Sequence, residues 1–309
     1  MPVRSDAPLQ AQTVTHSLRT RFIFVMLGLA VVPLLLLPLL AGRNASTHLE
    51  QQSVAFQRQV AAGVGSEIEA AIRGRVDDLE QLVLVAHVLG KSRQEQELLL
   101  SSLLADERMF QDIALVDRRG DELVRVARDE AVLATDLRDR SGDAAFERAL
   151  RTARPYFGPV SFDEEAREPL MTVAYPAVDV RSGSVSAVLV GSVRFKPVWA
   201  LLAEQEMTGG LDVFVVNAAG TVIGHRDPTR VLREEVYLPD AADGRSLGLD
   251  VEESVVATVD LELGDQRLTV VAEQPLSTAL KASTDAFIVT MYVTALAAFF
   301  GVAAIALMT

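Results

Sequence analysis

Two stretches of similar pattern decide the fold: QDIALVDRRGDELVRVARD, residues 111–129, and LDVFVVNAAGTVIGHRD, residues 211–227. Each reads as an apolar strand, a polar turn with a glycine and a second strand, which is the pattern of a β-hairpin. An Asp or Asn before such a turn can bond its own backbone, and the glycine supplies a positive φ angle. The two turns, Val116-Asp117-x-x-Gly120 and Val216-Asn217-x-x-Gly220, lie one hundred positions apart.

Each hairpin is followed later by a strong closing strand, VSAVLVGSVRF at 185–195 and RLTVVAE at 267–273. Residues 196–207 form an amphipathic connector between the two sets. Because hairpin, intervening loops and closing strand recur in the same order, the sequence predicts two tandem copies of one antiparallel α+β unit.

A long helical pattern precedes these units, over residues 43–90. Its apolar residues recur at steps of four and three, which predicts a single apolar stripe along a helix of more than ten turns. The stripe consists of Phe56, Val60, Val64, Ile68, Ile72, Val76, Leu79 and Val83. Such a helix packs on its own domain or pairs with a second copy of itself as a stalk, and the two arrangements are compatible. We therefore expect a homodimer.

Two uncharged stretches, 22–41 and 286–308, are each long enough to cross about 30 Å of hydrocarbon as a helix. The basic residues before the first are Arg4, Arg19 and Arg21. Because they predominate there, the N-terminus is predicted to face the cytoplasm, with the central region outside and the C-terminus returned inside. The alternative for the first stretch is a cleaved signal peptide, although it is long for one.

These patterns divide the chain into six segments. They are a cytoplasmic N-terminus (1–21), a transmembrane helix (22–41), a long stalk or packing helix (42–90), a membrane-distal unit (91–200), a membrane-proximal unit (201–284) and a second transmembrane helix (285–309). A cytoplasmic output domain is absent from the 309 residues.

Composition excludes several function classes. The formal net charge of -13 and the pI of about 4.8 argue against nucleic-acid binding, which needs a basic surface. The absence of cysteine excludes disulfides, thiolate metal sites and cysteine nucleophiles. The four histidines have no metal-ligand spacing, and no catalytic motif is present. We therefore predict no enzyme activity, no cofactor and no metal site for this chain.

Several further motifs carry a family resemblance. They are YFGP at 156–159, EPLMTV at 168–173, the closing strand 185–195 and VAEQPL at 271–276. Together with the two hairpins they resemble the double Cache sensor module of bacterial transmembrane receptors, most closely that of sensor histidine kinases. The resemblance implies an α+β fold: a long N-terminal helix and two PAS-like antiparallel-sheet units, flanked by two transmembrane helices. It also implies a two-pass protein of the bacterial inner membrane with a periplasmic or extracellular central domain.

The resemblance further implies a ligand pocket in the distal unit, over about residues 105–195. The candidate lining residues are Arg125, Arg128, Tyr156, Asp163, Met171, Val173, Tyr175 and Ser192. An arginine there could bind a carboxylate in bidentate fashion, and a tyrosine offers an apolar ring with a polar tip. Strand alternation places Met171, Val173 and Tyr175 on one face. The alternatives are that the arginines are surface cations, that Tyr156 is a packing corner, and that Asp163 belongs to a solvated loop or lid.

One position departs from the amino-acid-binding members of that family. Their closing strand carries an Asp that holds the ligand amine, and the matching residue here is Ser192. This departure puts an α-amino-acid ligand in doubt and makes a carboxylate, another small metabolite or a partner protein an equal candidate.

The function predicted from these features is the sensing and transmembrane-signalling part of a bacterial receptor. The predicted output is a two-component histidine kinase, in which case a cytoplasmic response regulator is a further partner. The alternatives are a diguanylate or nucleotide cyclase, a chemoreceptor, and a membrane-tethered binding protein that is complete as it stands.

Overall fold

The computed structural model describes residues 18–179, 182–204, 209–238, 243–279, 281, 288–296 and 299–300, with side chains from residue 50 onward. Residues Glu50–Ala279 form one compact unit, and the residues before and after them form another. Much of the predicted span 286–308 lies outside the described residues, as does the segment 1–17. A search of the described residues found no helix with the length and apolar character that a membrane crossing requires.

Helix α1, Leu18–Leu84, contains most of the long helix predicted over residues 42–90, but it ends six residues earlier, and the 3-10 turn Val88–Gly90 follows. Of the predicted stripe, Val64, Ile68, Ile72, Val76 and Leu79 are buried. Phe56, by contrast, is 59% exposed. The inward positions at that end of the helix are Gln57 and Ala61, both fully buried, so the buried stripe there is shifted by one residue.

The distal unit is built on a five-stranded antiparallel sheet with the strand order β2-β1-β5-β4-β3. Its strands are β1 Phe110–Asp117, β2 Glu122–Ala127, β3 Tyr156–Asp163, β4 Glu168–Val178 and β5 Val185–Arg194. Its helices are α2 Arg93–Asp106 and α3 Ala144–Thr152, with 3-10 turns at Val88–Gly90 and Ala134–Asp136. The predicted closing strand, β5, lies at the centre of the sheet.

The proximal unit repeats this topology with the order β7-β6-β10-β9-β8. Its strands are β6 Asp212–Val216, β7 Val222–His225, β8 Asp243–Leu247, β9 Glu253–Leu263 and β10 Gln266–Pro275. Its helices are α4 Lys196–Glu204, α5 Pro228–Leu232 and α6 Leu276–Ala279. The prediction of a long helix followed by two antiparallel α+β units is therefore confirmed.

The two hairpin turns have the same internal hydrogen bonds. Asp117 Oδ1 accepts from the backbone N–H groups two and four residues later, at 2.8 and 3.0 Å. Asn217 Oδ1 does the same at 3.0 Å in both cases. Gly120 and Gly220 have φ angles of +100° and +83°, a conformation that glycine adopts without steric cost. Side-chain chemistry and glycine placement thus determine both turns, as the sequence predicts.

Each face of the distal sheet has its own cover. The face toward α1, called here the helix face, carries Ile113, Leu189, Met171 and Val173, which share one buried cluster with the α1 stripe. The opposite face, called the outer face, carries a smaller cluster that includes Ala114, Val190, Ala174 and residues of α3. Helix α3 covers only part of the outer face, and the remainder opens into a cavity.

Candidate ligand-binding site

A cavity of about 260 Å³ lies on the outer face of the distal unit. It is lined by Gln111, Asp112, Arg125, Ala127, Asp129, Glu130, Arg138, Arg140, Asp163, Glu165, Ala166, Leu170 and Ser192. Strands β1, β2, β4 and β5 form its floor, because positions that pair across neighbouring strands share a face. A concave site with several converging polar groups is the usual form of a small-molecule site.

The β3–β4 hairpin supplies one wall of the cavity. Asp163 ends β3, and its Oδ1 accepts from the backbone N–H groups of Glu165 and Ala166, at 3.0 and 2.7 Å. Arg167 closes the turn with a φ angle of +53°. The segment is therefore a β-hairpin whose turn also borders the cavity.

Arg125 is the most deeply buried cation of the cavity, with a side chain 5% exposed. Its Nη1 lies 3.2 Å from Glu130 Oε1, and its Nη2 donates to the backbone carbonyl of Asp136 at 3.4 Å. Its Nε has no hydrogen-bond partner among the described residues.

Glu122 holds the arginines from beneath the cavity with a side chain that is fully buried. Its Oε1 accepts from Arg140 Nε at 2.7 Å, and its Oε2 accepts from the backbone N–H of Arg138 at 2.9 Å. The same Oε2 lies 3.7 Å from Arg125 Nε. Burial opposes the charged form of Arg140, but the hydrogen bond and charge of Glu122, with Asp112 and Asp143, outweigh it and raise the pKa of Arg140.

Carboxylates outnumber guanidinium groups around the cavity, five against three. Asp112 pairs with Ser192 across β1 and β5, so a carboxylate lies one strand away from the serine. Arg140 Nη2 lies 3.9 Å from Asp112 Oδ2, a distance that leaves this carboxylate loosely paired. Nowhere in the described residues do three His, Asp or Glu side chains form a group that could hold a metal ion. The cavity therefore offers acceptors for a cationic group beside a donor for an anionic one.

Of the residues predicted for the site, the structure brings Arg125, Asp163 and Ser192 together in the cavity. Arg128 lies elsewhere, because its guanidinium donates to the carbonyls of Leu104, Glu107 and Phe110 at 2.6, 2.9 and 3.0 Å. Those bonds satisfy the C-terminal end of α2. Burial, followed by the charge of Arg194, lowers the pKa of Arg128.

The predicted aromatic and apolar residues also lie outside the cavity. Tyr156 packs against the apolar cluster under α3, with the Arg148 guanidinium 5.6 Å from its ring centroid. Met171, Val173 and Tyr175 share one face, as alternation predicts, but it is the helix face. Tyr175 OH donates to Glu80 Oε1 of α1 at 2.8 Å. Burial, with the hydrogen bond and charge of Glu80, raises the pKa of Tyr175 to about 12.

The family model of the Cache domain, in its double form (dCache_1), matches residues 45–283. The chain belongs to the double Cache family. It is a Cache sensor domain, and its two sheets are the two Cache units. The comparison with curated protein sequences found no match.

Solved Cache domains of chemoreceptors have the same fold. The ligand-binding domain of the amino acid chemoreceptor PctC of Pseudomonas aeruginosa PAO1, solved with GABA, has a TM-score of 0.55 at 18% identity, over 72% of this chain and 99% of that one. PctB of the same organism, solved with L-Arg, has a TM-score of 0.56 at 16% identity, over 73% and 96%. Tlp3 of Campylobacter jejuni, solved with L-valine, has 0.58 at 14% identity, over 76% and 97%.

Most residues that line the Cache cavity were not predicted from the sequence, among them Asp112, Arg138 and Arg140. Glu122, which lies beneath the cavity, was not predicted either. Asp112 and Glu122 had a usable signal, since each is a charged strand residue that pairs with an apolar one across the hairpin, Ala127 and Val116 respectively. Arg138 and Arg140 had none, because they follow a 3-10 turn and reach Glu122 across a loop of irregular structure.

Proposed function

We propose that this chain is the extracytoplasmic sensing and transmembrane-signalling part of a bacterial receptor. We further propose that the distal cavity binds a small molecule carrying both an anionic and a cationic group. The observation that carries this is the buried guanidinium group of Arg125, which lines the cavity beside an excess of carboxylates. An arginine fork suits a carboxylate, and a carboxylate suits an ammonium group.

An amino acid or a similar zwitterion meets both requirements. The related domains of PctC, PctB and Tlp3 were solved in complex with GABA, L-Arg and L-valine, which supports this class. Ser192 supplies no charge for an amine, but Asp112 pairs with it on the adjacent strand. Asp112 would therefore bind the ammonium group, and Arg125 the carboxylate.

The proposal keeps the two-pass topology, with spans at 22–41 and 286–308, both termini in the cytoplasm and the Cache units outside the inner membrane. Uncharged stretches of this length support it. A homodimer formed along α1 is part of the same proposal. Cysteine labelling with a membrane-impermeant reagent tests the topology: Ser66→Cys is expected to react in intact cells, and Ser5→Cys only after lysis.

Two outputs are candidates for the cytoplasmic side. The histidine kinase predicted from the motifs is one. A chemotaxis signalling domain is the other, and it is favoured by the related structures, which come from chemoreceptors. Reading the coding DNA that follows residue 309 distinguishes them, because each output has its own recognisable domain. We propose no catalysis by the 309 residues themselves.

Ligand binding is tested by calorimetry on the full chain in lipid nanodiscs. The panel contains GABA, L-Arg and L-valine as zwitterions, succinate as an anion and putrescine as a cation. We expect at least one zwitterion to bind more tightly than succinate and putrescine. Arg125→Gln is expected to weaken that binding by about 10- to 100-fold, since a hydrogen bond to a charged group contributes about 1.5–3 kcal/mol.

Glu164→Gln is the matched control, because Glu164 is exposed on the β3–β4 turn and lies outside the cavity. It should bind the ligand as the wild type does. Equal affinity in the Arg125 variant, or wild-type binding of putrescine alone, would contradict the assignment of Arg125 to the ligand carboxylate.

A further inference from the structure

The proximal unit carries three titratable residues at the positions that form the cavity in the distal unit. Strand pairing establishes the equivalence. In the distal sheet Asp112 pairs with Ser192 and Ala114 with Arg125; in the proximal sheet Asp212 pairs with Glu273 and Phe214 with His225. His225, Asp212 and Glu273 therefore occupy the places of Arg125, Asp112 and Ser192.

Two of these three residues are buried. His225 is 1% exposed and Glu273 is 6% exposed. The same face carries a buried apolar cluster that includes Trp199, Phe214 and Tyr237, with Leu249 packed against it. A buried titratable cluster thus takes the place of a ligand cavity.

The hydrogen bonds of His225 define its protonation state. Its Nδ1 accepts from the backbone N–H of Asp227 at 2.8 Å, and a backbone N–H can only donate. Nδ1 is therefore unprotonated, and Nε2 carries the hydrogen and donates to Asp212 Oδ2 at 3.1 Å. This pair of bonds requires the neutral ring.

The two partners of His225 favour different protonation states. A proton on Nδ1 would point at the Asp227 N–H and break that hydrogen bond. The Asp212 carboxylate, in contrast, stabilises the imidazolium once it forms. The imidazole is thus held between a group that excludes the second proton and a group that attracts it, which is the arrangement of a two-state switch.

Displacement of the Asp227 amide would act on the neighbouring helix. Asp227 is the N-cap of α5, and its Oδ1 accepts from the backbone N–H of Thr229 at 2.9 Å. Arg230 of α5 binds Asp250 at 2.5 Å and Glu235 at 3.2 Å. The link from His225 therefore continues through α5 to the turn that precedes β9.

Glu273 holds the same turn from the other side. Both of its carboxylate oxygens accept from the backbone N–H of Leu249, at 3.1 and 2.9 Å. Burial raises the pKa of Glu273 and outweighs the opposing hydrogen bond from Leu249, while the charges of Asp212 and Asp250 add to the rise and Arg230 opposes it. Protonation would weaken the bond to Leu249, so it would act on the turn in the same direction as protonation of His225.

The charged groups that face the cluster come from several elements. They are Asp212 on β6, Arg226 and Asp227 after β7, Arg230 on α5, Glu235 beyond it, Asp250 in the turn and Glu273 on β10. Arg226 Nε lies 3.2 Å from Asp212 Oδ1, so Arg226 and His225 share this carboxylate through its two oxygens. Burial opposes ionisation of Asp212, but His225 and Arg226 outweigh it and lower the pKa of Asp212. Asp212 therefore stays ionised beside the ring.

We propose that the His225–Asp212–Glu273 cluster takes a proton where the distal unit takes its ligand, and that the proximal Cache unit is a pH-sensitive switch. The neutral state, with Asp227 bound, is the high-pH state. A second proton on the ring breaks the hydrogen bond from the Asp227 amide, and α5 is released.

The chain contains its own reporter for this change. Trp199 is its only tryptophan, and its Nε1–H donates to the backbone carbonyl of Ile223, on the strand of His225, at 3.0 Å. We expect the fluorescence of the full chain in lipid nanodiscs to change in one reversible step between pH 8 and 5, with unchanged far-UV circular dichroism. Asp212→Asn should move the step to lower pH by about one unit, because it removes the charge that attracts the proton.

His225→Gln is expected to abolish the step, since an amide provides an acceptor and a donor and does not titrate. His87→Asn is the matched control: His87 is exposed, and its loss should leave the step intact. Nitrogen-15 chemical shifts of the histidine rings in the wild type provide a measurement that needs no variant. They should show His225 Nδ1 unprotonated at pH 8. As the pH falls, Nδ1 should become protonated with the same midpoint pH as the fluorescence step. A fluorescence step that persists in His225→Gln, no step in the wild type, or a protonated Nδ1 at pH 8 would each overturn the proposal.

Discussion

The distal and proximal Cache units have the same topology, yet the same face of the sheet has a different role in each unit. In the distal unit β1, β2 and β5 carry Asp112, Arg125 and Ser192 to an open cavity. In the proximal unit the equivalent strands bury their residues beside Trp199 and Phe214. A pocket in this fold is thus determined by a few strand positions, and the topology alone does not provide one.

The sharpest difference between the units is at the start of each second hairpin strand. Glu122 pairs with Val116, and Val222 pairs with Val216, so these two residues are equivalent. The substitution Glu122→Val places in the distal hairpin the residue type that the proximal hairpin has at Val222. We expect it to lower the free energy of unfolding by about 3–5 kcal/mol, because the largely buried Arg140 would lose its nearest charge partner and Arg125 would lose a second carboxylate.

Urea unfolding of the full chain measures this loss. Glu164→Val, which changes an exposed carboxylate of the same unit, should stay within about 0.5 kcal/mol of the wild type. A loss of under 1 kcal/mol in the Glu122 variant would mean that the arginines of the cavity do not depend on a buried anion.

Ligand affinity offers a second comparison of equivalent residues. Asp112→Asn is expected to weaken binding of a zwitterion by about 10- to 100-fold, because one charge-assisted hydrogen bond is lost. Asp212→Asn, at the equivalent proximal position, should leave the affinity unchanged. Calorimetry on both variants measures the difference, and equal effects would show that the two faces do not have separate roles.

The helix faces of the two sheets differ at one polar contact. Tyr175 corresponds to Val259, so only the distal strand offers a hydroxyl group to α1 at this position. Tyr175→Phe is expected to cost about 1 kcal/mol by removing the hydrogen bond to Glu80. Because the pKa of Tyr175 is raised to about 12 from 10.0, its contribution should be complete below pH 10 and decline as the pH approaches 12.

Chemical unfolding of Tyr175→Phe, Glu80→Gln and the double variant isolates this pair. If the losses in free energy of unfolding of the two single variants add up to that of the double variant, the hydroxyl and the carboxylate do not interact. The two sheets would then contact α1 in the same way.

The smallest expected effect is in the proximal cluster. Glu273→Gln should raise the free energy of unfolding at pH 7.5 by about 0.5 kcal/mol, because a neutral amide removes the cost of burying a charge. The raised pKa of Glu273 means that the folded state favours the protonated acid. The advantage of the variant should therefore be complete above that pKa and disappear as the pH falls to the ordinary value of 4.5. Thermal unfolding of the variant and the wild type from pH 7.5 to 4.5 measures this difference in stability. Glu252→Gln, at an exposed position, is the control. A stability difference that does not change with pH would contradict a raised pKa of Glu273.

The repeat and its sheets could be predicted from sequence because their signals are local. An Asx residue and a glycine three positions later determine each hairpin turn, and runs of β-branched residues mark the closing strands. The same reasoning placed Met171, Val173 and Tyr175 on one face of β4. It could not say which face borders the cavity, because α1 covers one side of that strand and α3 part of the other, so both sides read as apolar.

The charged residues of the site were harder to predict, since their roles depend on distant partners. Arg125 and Arg128 look alike in the sequence, yet one borders the cavity and the other binds carbonyls at the end of α2. Glu122 and Arg140 form a buried ion pair across eighteen positions of chain. No periodicity links residues joined by an irregular loop, so such pairs become visible only in the folded structure.

Helix α1 provides core residues to both sheets. Ile68 and Leu79 belong to one cluster that contains Val173 of the distal sheet and Val270 of the proximal one. Arg73 also donates to a carbonyl of β9, and Glu80 accepts from β4. Strands could be exchanged within either sheet, but transplanting a whole Cache unit would also require replacing part of this helix. For recombination and domain engineering, the two repeated sheets and α1 therefore form a single module that cannot be divided.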